Sequence, residues 1–349
     1  MVRQEEKKNT TANKSTIVFQ YIQVRSIPMA LVSWYLPPSI AFYIQKYGAV
    51  YLFVTVIVGF FANGFIVLIT FRSRYLRSPC NILIAIQAAM DILTSFGHLV
   101  YFYFLYTETL IPFSQCYFYQ FIPCSAMNIT TALMLAIGLD RFLCLKYAVK
   151  YKTWPVKIYT SMVLTACVLY DALIKLVGYA TLTDDPVICL IADGYVGLGK
   201  DTWVGTQVLI NCAVVFVYKN IRSEMKLLED DGKEAKKLVR SLYTIVLFYT
   251  FGWLMTMCLL GVLRVLTTEY GSFKAKATVY FRPNLVVTCE LFAGVFANVN
   301  MVIPAFVYYQ RSTVYNMAFK RFFRGGKVGT ASGSYAVAST GRSAYIYKG

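Results

Sequence analysis

The sequence predicts an all-α integral membrane protein, a bundle of seven membrane-spanning helices followed by a short amphipathic helix. Three observations predict it. Hydrophobic residues fill 58% of the 349 positions, only 15% are charged, and the mean hydropathy is +0.54; an ordinary soluble domain is about 45–50% apolar. A single water-soluble core could not hide that much apolar surface, whereas a chain whose flanks face lipid has no need to. The apolar residues also come in long uncharged blocks rather than in mixed patterns, and the basic residues alternate in density from one connecting segment to the next. One polytopic domain therefore fits better than two soluble ones, and most soluble enzymes are excluded.

A spanning helix needs about 20 mostly apolar residues, at about 1.5 Å each, to cross roughly 30 Å of hydrocarbon. Residues 47–71 carry no Asp, Glu, Lys or Arg and form the first span. Residues 78–107 contain one such charge, Asp91, and residues 109–139 contain none; these are the second and third. Residues 158–183, interrupted by Asp171 and Lys175, form the fourth, and the shorter uncharged stretch 202–218 the fifth. Uncharged 241–263 and residues 283–310, where Glu290 is the one charge, complete the set. Residues 26–45 are also free of charge but hold Pro28, Pro37 and Pro38, and leave only 46–48 for a turn into the next span. Proline removes a backbone donor and disfavours helix before it, so this stretch reads as an extracellular or interfacial segment. It lacks the short charged lead and the small-residue cleavage site of a secretory signal. From Thr313 to Phe323, apolar Tyr315, Ala318, Phe319 and Phe322 recur at helical spacing beside Lys320, Arg321 and Arg324, which suits a helix lying on a membrane surface. The resulting divisions are an N-terminal segment 1–45, a spanning domain 46–312, the amphipathic helix 313–323 and a Gly- and Ser-rich tail 324–349 expected to be disordered and cytoplasmic.

Positive charge in short loops sets orientation. The loops after the first, third and fifth spans hold three basic residues (Arg72, Arg74, Arg77), five (Arg141, Lys146, Lys150, Lys152, Lys157) and seven (Lys219, Arg222, Lys226, Lys233, Lys236, Lys237, Arg240). The alternate loops hold none, one (Lys200) and three (Lys274, Lys276, Arg282). The N-terminus is thus expected outside and the C-terminus inside. The formal net charge of +17 is then a topology signal that also suits anionic lipid, and it does not call for nucleic acid as a partner. Asn9 and Asn13 open N-glycosylation sequons on the expected outer tail; a third, at Asn128, falls inside a span and should be unused.

Polar groups within lipid are costly unless paired or facing a wet cavity. The spans carry Asn63 in the first, Asn81 and Asp91 in the second, and Asp140-Arg141-Phe142 at the inner end of the third. Ser78-Pro79-Cys80-Asn81, Met90-Asp91-Ile92-Leu93, the run Gly138 to Tyr147, Gly252-Trp253 and Pro304-Ala305-Phe306-Val307-Tyr308 complete the pattern. Taken together, these positions resemble the rhodopsin-like G-protein-coupled receptors. Ser78-Pro79-Cys80-Asn81 and the run Gly138 to Tyr147 are most similar to the nematode serpentine chemoreceptors of the Srsx class.

The resemblance implies a receptor in the plasma membrane, multi-pass, with sensory cilia as one setting. It implies an extracellular small-molecule or peptide ligand and a heterotrimeric G protein as partners, besides membrane lipid. It implies a disulfide between Cys116, 25 residues before Arg141, and Cys189 in the second outer loop. It assigns coupling and activation to Asp140, Arg141, Tyr218, Trp253 and Tyr308, with Asp140 ion-paired to Arg141 in the silent state. Asp91, Thr130 and Asn300, with Asn63 nearby, become either a sodium-binding cluster of oxygens or a hydrogen-bonded knot that locks packing. Met127, Asn128, Trp253, Met257 and Glu290 would line an outer ligand cavity. His98, two helical turns above Asp91, is either a ligand contact or a satisfied interior histidine. Pro123 stands where amine receptors carry an aspartate, which argues against a biogenic amine.

Several positions depart from the family pattern. The fourth span lacks a central tryptophan, the fifth lacks a proline, Met255 replaces the sixth-span proline, and Pro304 stands where asparagine is usual. Ordinary bends in the fifth and sixth helices are therefore in question. No C-x-x-C pair exists, and one histidine cannot build a usual metal site, so no metal or other cofactor is expected beyond the sodium reading. The rival readings are a transporter or channel, an enzyme, and a non-signalling trafficking protein. No internal repeat supports a transporter, and no nucleophile with its base, paired carboxylates or phosphate loop supports an enzyme.

Overall fold

In the computed structural model, residues 38–73, 76–151, 153–227, 251–263 and 283–323, with isolated positions 244, 248 and 265, are described. All lie in one contact unit, 36–349. The order is α1 (Pro38–Arg72), α2 (Pro79–Tyr106), β1 (Ile111–Pro112), α3 (Phe113–Tyr119), α4 (Phe121–Lys146) and the single turn α5 (Ala148–Tyr151). There follow α6 (Val156–Ala180), β2 (Pro186–Val187), a 3-10 turn over Ile191–Gly194, α7 (Gly197–Leu227), α8 (Phe251–Leu263), α9 (Pro283–Arg311) and α10 (Thr313–Phe323). Six of these helices are long and apolar enough to cross a membrane, and α8 is a shorter apolar helix within the expected sixth span. The architecture is that of a seven-span helix bundle with a terminal amphipathic helix. The sequons at Asn9 and Asn13, most of the third basic loop and the tail from 324 lie outside the described residues.

Local chemistry sets the helix ends. Ser78 caps α2 from an extended backbone, its Oγ accepting the Asn81 N–H at 3.4 Å, and Pro79 fills the first helical position where no donor is needed. The Ser78-Pro79-Cys80-Asn81 run is thus a helix start. The same reasoning corrects the expectation for residues 38–45, which form the first turns of α1 instead of lying before it. Pro38 sits at the helix start, where its missing N–H costs nothing. Gln45 is buried and donates to Thr288 Oγ1 of α9 at 3.1 Å.

The third span also differs from a single uninterrupted helix. The chain steps at Gln120 between α3 and α4, and the fully buried Gln120 amide donates to the carbonyls of Gly97 at 3.0 Å and Cys189 at 3.1 Å. α7 starts at Gly197, before the expected 202, which brings Lys200 into the helix.

α4 is the central helix, packed against α2, α6 and α7; α1 packs on α2 and α9, and α10 folds back onto α9 and α1. One apolar core, including Met127, Trp203, Trp253, Met257 and Leu291, extends from the loop residues Leu190–Ala192 to Tyr218 and Ile221. A second, including Ile69, Leu76, Leu133, Tyr308 and Tyr315, fills the half nearest Arg141. Phe53, Phe60, Phe61, Leu169, Leu173 and Leu176 are left on the outside, as lipid-facing positions require.

Gly97 of α2 marks a close approach of the second loop. A Cβ there would lie 2.5 Å from Gln120 Oε1 and 2.6 Å from Ile191 Cγ1, and both neighbours are held by the disulfide-pinned loop. Gly97→Val should therefore destabilise the protein by about 1–3 kcal/mol, read as a lowered Tm of purified protein. An unchanged Tm would contradict this packing.

Candidate functional site

The cavity between the helices is built from the loop downward. β1 and β2 pair antiparallel, Ile111 opposite Val187, and the Cys116–Cys189 disulfide then ties the loop to α3 with Cα atoms 5.4 Å apart. Cys189 has φ 66°, in the left-handed region, and the buried residues Leu190, Ile191 and Ala192 follow it into the bundle. They line one side of a cavity of about 60 Å³ whose apolar wall includes Leu52, Met127, Trp203, Trp253, Met257 and Leu260. His98, Glu290, Thr94, Thr256 and Asn298 also line it, but the surface they leave in it is almost entirely apolar. Of the expected pocket residues, His98, Met127, Trp253, Met257 and Glu290 are in this wall. Thr94, Trp203, Thr256, Asn298 and the loop residues are additions that spacing along single helices did not identify.

One ion pair stands beside the cavity, with Glu290 in its lining. Lys200 Nζ of α7 donates to Glu290 Oε1 of α9 at 2.7 Å and lies 4.0 Å from Asp193 Oδ1. Both side chains are nearly buried, at 11% and 7% exposure. Asp193 Oδ2 accepts the Leu190 N–H at 3.0 Å. Burial pushes the Asp193 carboxyl above its ordinary range, and Lys200 opposes that shift. Sequence reading placed Lys200 in a loop and missed the pair. The available signal was that Lys200 is the one basic residue of its loop and Glu290 the one charge of its span.

Asn128 does not line the cavity, contrary to expectation. Its side chain, fully buried, turns toward α6 and α7. Nδ2 donates to Asp171 Oδ1 at 2.8 Å and to the Tyr195 hydroxyl at 2.9 Å, while Oδ1 accepts Trp203 Nε1 at 3.1 Å and Gln207 Nε2 at 3.3 Å. All four bonding positions of the amide are used. Next to this node, Lys175 Nζ lies over the rings of Tyr117, Phe121 and Tyr195, 4.5–5.2 Å from their centroids.

Deeper in the bundle, Thr130 donates to Asp91 Oδ1 at 3.3 Å. Asn63 Nδ2 donates to the Met301 carbonyl at 2.8 Å, next to the Asn300 carbonyl that Pro304 deprives of its helical donor. The Asn300 side chain rests on Gly252 of α8, where any Cβ would collide with it. Among the described residues, no group of three His, Cys, Asp or Glu is placed to hold a metal ion.

At the far end, Asp140 Oδ1 accepts the Tyr151 hydroxyl at 2.6 Å, and no Asp140–Arg141 ion pair is among those of the described residues. The expected pairing is corrected: the turn α5 delivers Tyr151 to the carboxylate, and the adjacent arginine points elsewhere. Arg141 lies close to Cys80, with its Nε lacking a hydrogen-bond partner. Tyr218 packs on Gly138, and its buried hydroxyl is likewise unpartnered. Tyr308 stacks on Tyr315 with centroids 4.8 Å apart, and the Tyr315 hydroxyl meets Thr70 Oγ1 at 3.3 Å, which joins α9, α10 and α1.

A seven-span bundle with a disulfide-pinned loop over a cavity, and a half-buried arginine at the opposite end, defines a serpentine receptor fold. The chain belongs to the Srsx family of serpentine-type 7TM GPCR chemoreceptors, whose model matches residues 56–323. No curated protein matches this sequence.

The Lys200–Glu290 pair supports a quantitative expectation. Lys200→Met strands the buried Glu290 and Asp193 carboxylates and should cost about 3–5 kcal/mol, while adding both Glu290→Leu and Asp193→Asn should recover most of that loss. Thermal unfolding of purified protein checks it. Equal stability of the two variants would contradict the pairing.

Proposed function

We infer that this chain is a chemosensory G-protein-coupled receptor of the plasma membrane, with the loop-covered cavity outside and Arg141 facing the cytoplasm. The observation that carries this is the pairing of a small apolar recess under the second loop with a half-buried arginine, its Nε unpartnered, at the other end of the same helix system. The protein acts by binding and shape change, without catalysis. An agonist entering the cavity meets Trp253 of α8 and Glu290 of α9 together, so it can favour an arrangement in which α8 moves outward. That movement frees Arg141 and the Tyr218 hydroxyl to bond each other, Tyr308, or the incoming tail of a G-protein α subunit. Ligand and G protein both prefer the open arrangement, and each therefore strengthens the other's binding.

The Tyr151–Asp140 bond is the element that holds the inner end of α4 to the following turn in this arrangement. Asp91 and Thr130 supply oxygens that suit either sodium or a packing knot, and the Asn63 bond beside Pro304 supports the packing role. A transporter or trafficking role finds no comparable support in the placement of these groups.

Expression in cells with a G-protein activation reporter, screened with odorants and short peptides, tests the reading. Arg141→Ala should reduce the maximal response at least tenfold while leaving surface expression intact. A response that survives Arg141→Ala undiminished would sink the mechanism.

A further inference from the structure

The cavity under the second loop has polar residues in its wall but almost no polar surface. Their polar atoms are turned elsewhere or sunk beneath the wall. Thr94 and Thr256 donate their hydroxyl protons to backbone carbonyls, Thr94 to Met90 at 3.0 Å and Thr256 to Ala293 at 2.7 Å and Gly252 at 2.8 Å. Glu290 accepts from Lys200 at 2.7 Å, and Lys200 does not line the cavity. Asn298 gives an N–H to the Gly294 carbonyl at 2.7 Å, and both ring nitrogens of His98 are buried. The surface that remains is apolar, with Trp203, Trp253, Met127, Met257 and Met301 among its contributors.

Water suits such a space poorly. The volume, about 60 Å³, exceeds the roughly 10–15 Å³ that one water needs, but a buried water requires about two to four polar partners and the wall offers almost none. A charge or a strong hydrogen-bonding group on a ligand would likewise leave bulk water for a surface that gives nothing in return. Dry apolar cavities take up small apolar molecules instead.

Gly294 of α9 adds room to the wall. A Cβ there would find only Asn298 Nδ2 within 4 Å, at 3.9 Å, whereas a Cβ at Gly97 or Gly252 would collide with its neighbours. Helix packing therefore does not require glycine at 294, and a helix interior disfavours it relative to alanine.

We propose that this cavity takes a small, uncharged, apolar ligand, held by contact with the two tryptophans and three methionines of the wall and accommodated by the space at Gly294, with no ion pair or hydrogen bond to the protein. Methionine side chains are unbranched and polarizable, so the wall can close on molecules of somewhat different shape. This deepens the chemoreceptor reading and rests on it.

Full-length protein in phosphatidylcholine nanodiscs, without any G protein, provides the test. Two radiolabelled sets serve as probes: n-pentane, n-butanol, n-butylamine and butyrate, and toluene, phenol, benzylamine and benzoate. Binding is read by equilibrium dialysis in sealed cells at neutral pH, with empty nanodiscs subtracting the share taken up by lipid. The hydrocarbon of at least one set should bind saturably and at least tenfold more tightly than each other member. Gly294→Leu, which fills the space, should abolish that binding, and Gly294→Ala should weaken it severalfold with Tm unchanged or raised. Should Gly294→Leu fail to fold, Gly294→Ala carries the comparison. A preference below tenfold in both sets, hydrocarbon affinity unchanged in the folded Gly294 variants, or no saturable binding of either hydrocarbon would overturn the inference. A protein that binds the hydrocarbon in this way but activates no reporter would instead fail only the signalling reading.

Discussion

Asn128 holds together the half of the bundle on which the rest depends. Lipid offers no hydrogen bonds, so each polar side chain within it must find its partners on another helix or beside a cavity. Asn128 meets that demand fully, with four bonds that draw Asp171, Tyr195, Trp203 and Gln207 onto α4. Trp203 is thereby held with its indole N–H engaged and its ring against the cavity. The same constraint explains the Gln120 amide, which anchors both α2 and the second loop, and the Asn63 bond at the proline of α9. Apolar packing fills the bundle, but these amides decide which helix faces meet.

The two ends of the molecule are built differently. Near β1 and β2 the buried Lys200 and Glu290 are paired, the loop is covalently tied, and the cavity is small. Near Arg141 a guanidinium nitrogen and the Tyr218 hydroxyl are buried without partners, an arrangement that costs on the order of 1–3 kcal/mol for each such group. That unmet bonding makes the Arg141 end ready to rearrange, and α4 runs continuously between it and the cavity wall.

Much of this was legible in the sequence. Uncharged blocks marked the spans because lipid excludes charge over a fixed thickness, and the serpentine motifs carried the family, as the match over 56–323 shows. Other features required three dimensions. Pro38 reads as a helix breaker in one dimension and proves to be a helix start, since the cost of proline depends on whether its N–H was needed. Asn128 sits in the expected span, but helical spacing alone did not show that it faces α6 and α7 instead of the cavity. Lys200 and Glu290 are 90 residues apart, and no local pattern links them; only a count of isolated charges hints at their pairing. The Asp140–Tyr151 bond stayed hidden because the adjacent arginine offered an obvious but geometrically unused partner.

The account stands or falls on one orientation, with the disulfide-pinned cavity outside the cell and Arg141 inside. Epitope tags at the two termini of the full chain, labelled by antibody before and after permeabilisation, test this most directly. The account predicts that the N-terminal tag is labelled on intact cells and the C-terminal tag only after permeabilisation. A C-terminal tag labelled on intact cells would contradict it.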